Sequence, residues 1–179
     1  RFVHTDYLKD AWDEGLCVLY VPMAIALSGE EQDDILAFAE KGGKVVVEAA
    51  AGFYDERGEM DVRTSLLKRV FEAEDFSVLY QESAERGKNA IVDEDGRLVC
   101  KGVSYVQTMA IRKGDALGFV EDASEEAEES AERDGMPENV GKPKETEGNK
   151  RCAYARSPYG KGCVEWIGTY PAMMAKREA

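Results

Sequence analysis

The feature that most constrains the fold is a pair of apolar runs separated by a helix signal. The runs are Leu16–Val21 and Lys44–Glu48, and both have the near-continuous hydrophobicity of strands that are covered on two faces. Between them, Ser28 stands three residues before Glu31, which is the spacing of a capping box at the start of a helix. A glycine pair at 42–43 ends that helix, because glycine readily adopts the left-handed conformation found at helix C-termini. The pattern predicts a βαβ unit with parallel strands.

Beyond this unit, one further helix and several extended segments are predicted. The helix spans Val62–Phe71, whose apolar residues fall on one face. Phe2–Val3 is expected to close a strand and Tyr7–Trp12 to form a short helix. Strands or antiparallel hairpins are predicted for a series of short segments with period-two alternation or turn signals at their ends. They are Ser77–Gln81, Asn89–Val92, Arg97–Cys100, Tyr105–Ile111, Ala116–Val120, Cys152–Arg156 and Cys163–Gly168.

The length and charge of the chain limit its domain organisation and its partners. A chain of 179 residues fits a single domain, and its ends suggest a domain excised from a larger protein. The formal net charge of -13 disfavours nucleic acid and anionic membrane surfaces, since both require a basic surface. Much of the acidity lies in residues 121–149, which we interpret as an exposed loop excursion within the domain. An acidic docking arm for a cationic partner is the alternative for this segment.

The cysteines and the single histidine give little support for a metal or a cofactor. The chain has four cysteines, without CxxC spacing, which favours buried free thiols in a reducing compartment and hence a cytoplasmic location. Disulfide or metal use is the alternative. His4 is the one histidine, so a Cys/His metal site is a poor match. We therefore expect no metal and no cofactor. No apolar run approaches the roughly 18 residues of a membrane-spanning helix.

Few residues have the pattern of a catalytic group. Glu48 follows a strand and could be a general acid or base with Asp55 as its partner, although such a carboxylate more often caps a backbone group or pairs with an arginine. Cys163 has two cations nearby in sequence, Arg156 and Lys161, which could lower its pKa. Its position in a strand favours a packing role instead.

Two longer motifs resemble a known family. They are LCVLYVPMAIALSGEEQDDILAFAEKGGKVVVEAA (residues 16–50) and YARSPYGKGCVEWIGTYP (residues 154–171), and both are similar to the class I glutamine-amidotransferase-like domain of the family 42 beta-galactosidases. The helix at Val62–Glu72 matches the position of a further helix of that family. The resemblance implies an α/β, flavodoxin-like three-layer sandwich with a mostly parallel sheet and an antiparallel C-terminal hairpin.

The resemblance also implies that amidotransferase chemistry is lost. Active amidotransferases carry a nucleophilic cysteine on the turn after the strand that follows the glycine pair, where this chain has Ala49, Ala50 and Ala51. A His-Pro-Glu motif is replaced by Tyr170-Pro171-Ala172. Alanine cannot attack a carbonyl, and tyrosine is a poor base for a thiol at neutral pH. We therefore expect no catalytic residues in this domain.

Three functions follow as hypotheses. The first is a non-catalytic oligomerisation or scaffold domain of a beta-galactosidase-like glycoside hydrolase, which self-associates, with a trimer suspected, and adjoins a (β/α)8 barrel domain. The second is a ligand-binding or catalytically divergent member of the amidotransferase-like superfamily, with Glu48, Phe53 and Tyr170 as pocket candidates. The third is an acidic interaction module acting through residues 121–147.

Overall fold

The fold is described from a computed structural model, which places residue 8 and residues 15–80, 90–102, 105–121 and 150–171. Strands account for 44% and helices for 17% of this part of the chain. In chain order the elements are β1 (Val18–Val21), α1 (Gly29–Glu40), β2 (Lys44–Val47), α2 (Leu66–Phe71), β3 (Glu74–Tyr80), β4 (Ala90–Val92), β5 (Leu98–Lys101), β6 (Tyr105–Ala110), β7 (Asp115–Glu121), β8 (Lys150–Tyr159) and β9 (Gly162–Ile167).

Some of the sequence-based predictions fall outside the described residues. They are the strand at Phe2–Val3, the role of His4 and the acidic excursion, apart from Glu121 at its first position. Of the helix predicted at Tyr7–Trp12, only Leu8 is described, and it is helical and buried.

The sheet combines a parallel half with an antiparallel half. Seven strands lie in the order β1-β2-β9-β8-β7-β4-β5, and β3 pairs with β6 in a separate two-stranded sheet. Strands β1, β2 and β9 are parallel, whereas every pair from β9 to β5 is antiparallel. The main sheet curls into a half-barrel.

The flavodoxin-like three-layer sandwich predicted from the resemblance is wrong. That architecture needs helices on both faces of a parallel sheet. Here the apolar residues of α1 and α2 belong to one core together with Val45, Val47 and Trp166, so both described helices cover the same face. After α2 the chain continues through tight turns such as the one at Asp93–Gly96, and so short a connection can join only antiparallel strands.

The βαβ unit is confirmed, and its local signals work as expected. Strands β1 and β2 are parallel neighbours. The Glu31 N–H donates to Ser28 Oγ at 3.1 Å, and the Ser28 N–H donates to the Glu31 carboxylate at 2.8 Å, which completes the capping box. Gly42 has φ 114°, and the Gly43 N–H donates to the Phe38 carbonyl at 3.1 Å, so the glycine pair closes the helix.

The second helix is shorter than predicted. It begins at Leu66 rather than Val62, because the Ser65 hydroxyl accepts a hydrogen bond from the Lys68 N–H at 3.3 Å and caps the helix there. The two predicted hairpins, β4–β5 and β8–β9, are both confirmed by their antiparallel registers.

The glycine pair and the YGKG turn form a single contact. The Lys161 N–H donates to the Glu40 carbonyl at 3.1 Å, and the Cys163 N–H donates to the Gly43 carbonyl at 3.3 Å. A Cβ built on Gly162 would lie 2.0 Å from the Gly43 carbonyl oxygen. Only glycine at position 162 therefore lets the end of α1 lie directly on the β8–β9 hairpin. This contact holds the carboxyl end of α1 against the hairpin.

Candidate functional site

Glu48 lies directly after β2 and is fully buried. Its carboxylate accepts a hydrogen bond from the Tyr20 hydroxyl at 2.5 Å and another from the Met23 N–H at 2.8 Å. Both donors belong to β1 and the loop that follows it. Glu48 therefore fastens this loop, in which Met23 has a left-handed φ of 48°, to the end of the neighbouring strand.

The three alanines after Glu48 form a strained turn. Ala50 has φ 57°, which L-residues other than glycine rarely adopt. Its N–H donates to Gln107 Oε1 of β6 at 2.8 Å, and the Ala49 N–H points to the Thr169 carbonyl at 3.5 Å. Ala49 and Ala51 are fully buried. The turn is thus anchored to β6 and to the segment after β9, and its side chains carry no reactive group.

Of the other two predicted pocket residues, Phe53 packs against the apolar core and Tyr170 is buried. The Phe53 ring packs edge-on against Phe76, with 5.0 Å between the ring centroids, and Tyr170 is 5% exposed. Glu48 and Tyr170 follow neighbouring parallel strands, β2 and β9. Asp55 shapes its own turn instead, because its Oδ1 accepts from the Arg57 and Glu59 N–H groups, each at 2.8 Å. A ligand site formed by Glu48, Phe53 and Tyr170 stays a prediction.

A cavity of about 420 Å³ opens nearby, between the start of α1 and the loop from β2 to α2. None of the three predicted pocket residues lines it. Most of the residues that line it are polar or charged in type, but their apolar atoms contribute more of its surface than their polar atoms do. The residues are Leu27, Gly29, Gln32, Asp33, Gly52, Tyr54, Asp55, Asp61, Arg63, Thr64 and Arg69. We refer to it as the α1-loop cavity.

An ion pair joins the two helices beside the α1-loop cavity. Arg69 of α2 contacts Asp33 of α1, with 2.6 Å between Nη2 and Oδ1. Sequence reasoning missed this pair because the residues are 36 positions apart and neither belongs to a recognisable motif. The one local signal was that Asp33 lies in the first turns of α1, at the carboxyl-end side of the parallel strands, where such sheets commonly bind ligands.

A second charged cluster lies at Glu165 of β9. Its carboxylate contacts Lys44 Nζ at 2.9 Å and Arg156 Nε at 2.6 Å. Burial alone would raise the pKa of Glu165, but the hydrogen bonds and charges of these two cations outweigh burial and lower the pKa below its usual value. Arg156 is therefore engaged by Glu165, which weakens the argument that it activates the thiol of Cys163.

The four cysteines are free, as expected, but they are not uniformly buried. Cys152 is buried, Cys100 and Cys163 are partly buried, and Cys17 is exposed just before β1. Burial raises the pKa of Cys152 to about 12 and that of Cys100 to about 11, so both are poor nucleophiles near neutral pH. The prediction of buried thiols is thus wrong for Cys17.

The described residues contain neither a metal-binding cluster nor a membrane-spanning helix. No group of three or more histidine, cysteine, aspartate or glutamate side chains in the described ranges is arranged to hold a metal ion. Among the helices in the described part of the chain, none is long and apolar enough to cross a membrane.

Comparison with solved structures relates this architecture to beta-galactosidases. Gan42B, a GH42 beta-galactosidase from G. stearothermophilus, superimposes with a TM-score of 0.61 at 20% identity, over 85% of this chain and 19% of that chain. The beta-galactosidase from Bacillus circulans sp. alkalophilus gives a TM-score of 0.62 at 12% identity, over 86% of this chain and 20% of that chain. That from Rahnella sp. R3 gives 0.62 at 14% identity, over 90% and 22%.

The likeness is one of fold. No family model matches the chain, and no curated protein matches it. The chain spans about a fifth of the length of these beta-galactosidases, so it corresponds to a small domain of such enzymes. The prediction of a beta-galactosidase-type domain is confirmed at this level, although the architecture predicted for that domain was wrong.

Proposed function

We propose that the chain is a non-catalytic assembly domain of a beta-galactosidase-like glycoside hydrolase. In this role it associates with copies of itself, with a trimer as the expected order, and adjoins a larger catalytic barrel. The observation that carries the proposal is how much of each chain the structural match covers. The solved beta-galactosidases match 85–90% of this chain but use only 19–22% of their own length for the match. A self-contained small domain of a large enzyme accounts for both values.

The chemistry at the strand ends supports a non-catalytic role. Glycoside hydrolases typically use two carboxylates that flank the scissile bond. At the end of β2 the carboxylate of Glu48 is fully buried and bonded to Tyr20 and Met23. The turn that follows presents alanines, and the Ala50 N–H is already bonded to Gln107. An amidotransferase-like origin of this turn remains part of the proposal, and the left-handed conformation of Ala50 after β2 is what supports it.

The proposal is tested by oligomeric state and by activity, measured on the same preparation. Light scattering coupled to size-exclusion chromatography across a wide concentration range is expected to give a trimer. A strict monomer at the highest concentration would refute self-association. Hydrolysis of a nitrophenyl β-galactoside by the chain is expected to be absent, and hydrolysis that persists through purification would refute the non-catalytic assignment.

A further inference from the structure

Self-association needs a surface that identical, acidic chains can share. Each copy carries a formal net charge of -13, so most contacts between two copies bring like charges together. The longest stretch without a charged residue is Gly15–Gly29. We propose that strand β1, which lies in this stretch, is the surface through which copies of the chain contact one another. This inference rests on the proposed self-association, and it holds for any number of copies.

Exposed apolar side chains concentrate around β1. Eight large hydrophobic residues of the described chain are exposed, and four of them lie within residues 16–23. They are Leu16, Val18, Tyr20 and Met23, which we call the β1 stripe. Single exposed apolar residues are common on protein surfaces, whereas a contiguous group of them marks an interaction site.

The alternation along β1 places part of the stripe away from the core. Leu19 and Val21 pack against the core that contains the apolar residues of α1 and α2. Val18 and Tyr20 therefore lie on the opposite face of the sheet, since successive side chains of a strand point to opposite faces. Neither residue belongs to a hydrophobic core of the described chain. The stripe thus exposes a face that parallel strands normally bury.

Strand β1 is also an unprotected edge of the main sheet. Among the described strands it pairs with β2 alone, in a register without a bulge. The edge at β5 has the usual protection, because the exposed Arg97 and Lys101 stand at its two ends and its register with β4 shifts. Strand β1 has neither a charge nor a bulge. It therefore offers a second chain an apolar edge that nothing in its own sequence blocks.

Two members of the stripe are held in place before any contact forms. The Tyr20 hydroxyl donates to the Glu48 carboxylate at 2.5 Å, and Glu48 is fully buried. The Met23 N–H donates to the same carboxylate at 2.8 Å. Groups that are fixed in this way lose little conformational entropy on association. Glu48 therefore prepares the Tyr20 ring and the Met23 backbone for a contact.

A second copy fits this surface better than a partner of another kind. The stripe carries no charge with which to select a cationic or an anionic partner. Where copies meet around a rotation axis, the same surface is contributed by each of them. An uncharged apolar strand lets these surfaces approach without the repulsion that like charges would cause.

Light scattering over a dilution series tests the proposal by measuring the dissociation constant of the self-associated chain. Val18→Asp places a carboxylate in the stripe of every copy, so the constant should rise about tenfold or more. Leu98→Asp is the matched control, because Leu98 of β5 is 56% exposed against 55% for Val18 and the charge change is the same. It should leave the constant unchanged. Val18→Thr keeps the branched shape that strands favour, so it should weaken association less and still fold if Val18→Asp does not.

Four results would overturn the proposal. Equal dissociation constants for the parent chain and both Val18 variants would refute the β1 stripe alone and leave self-association standing. Equal weakening by Leu98→Asp and Val18→Asp would refute it too, because added charge alone would then explain the effect. A Val18→Asp chain that loses stability but not self-association would show that the chain itself covers the stripe. A parent chain that stays monomeric at the highest concentration would refute self-association, and this surface with it.

Discussion

Gly162→Ala tests the contact on which the placement of α1 depends. The added Cβ would lie 2.0 Å from the Gly43 carbonyl oxygen, 2.7 Å from the Ala39 carbonyl oxygen and 2.9 Å from the Gly42 carbonyl carbon. All three atoms are backbone at the end of α1, so no side chain can rotate away. A Cβ in ordinary contact stays 3.4 Å or more from its neighbours, and the β8–β9 hairpin and the helix end would have to separate by more than 1 Å.

The expected loss in the free energy of unfolding combines two effects. Overpacking of this kind costs about 1–3 kcal/mol. Separation also breaks two backbone hydrogen bonds, from Lys161 to the Glu40 carbonyl and from Cys163 to the Gly43 carbonyl, and each contributes about 0.5–1.5 kcal/mol. The substitution should therefore destabilise the chain by about 4 kcal/mol, a large part of the 5–15 kcal/mol that is typical of a whole domain.

Urea denaturation followed by circular dichroism measures this loss. Gly29→Ala is the matched control, because a Cβ there meets nothing within 4 Å and the residue is the first of α1. Its stability should stay within about 0.5 kcal/mol of the parent chain. A loss below about 1 kcal/mol for Gly162→Ala would refute the close approach of the glycine pair to the hairpin.

Three further predictions follow from the interior of the sheet and from the thiols. Lys44 and Arg156 lower the pKa of Glu165. The stability that the charged Glu165 carboxylate contributes is therefore complete above the ordinary pKa of 4.5, and it is lost as the pH falls through the lowered pKa. The urea midpoints of Glu165→Gln and the parent chain should converge over that acidic range, and a constant gap would contradict the coupling. Gln107→Leu should cost about 1–3 kcal/mol in the same assay by leaving the Ala50 N–H without its acceptor, and a loss near zero would exclude this role. Peptide mapping after limited alkylation should find Cys17 labelled first and Cys152 last, because burial raises the pKa of Cys152 to about 12, and the reverse order would contradict the placement of β1 and β8.

Local signals predicted the βαβ unit well because its determinants are close together in sequence. The Ser28 cap, the glycine pair and the two apolar runs each act over a few residues. The start of α2 was misplaced for a related reason. Apolar spacing alone extended the helix back to Val62, whereas the hydroxyl of Ser65 decides where it begins.

The order of the strands could not be predicted in the same way. Alternating hydrophobicity identifies a strand but does not identify its partner. Strand β9 inserts between β2 and β8, so its parallel neighbour lies more than a hundred residues earlier in the chain. The resemblance predicted a likeness to a domain of beta-galactosidases, which the solved structures share in fold, yet it carried over an architecture with helices on both faces. The described helices, α1 and α2, cover one face only.

The strained turn at Ala50 has a structural role. A non-glycine residue in the left-handed region costs about 1–3 kcal/mol and persists only where its surroundings fix it. Here Gln107 anchors the turn, and directly beyond it the Gly52 N–H donates to the Ala24 carbonyl at 2.9 Å while the Tyr54 N–H donates to the Ile25 carbonyl at 3.0 Å. The turn therefore directs the chain from β2 against the loop after β1, and this segment supplies Gly52 and Tyr54 to the α1-loop cavity.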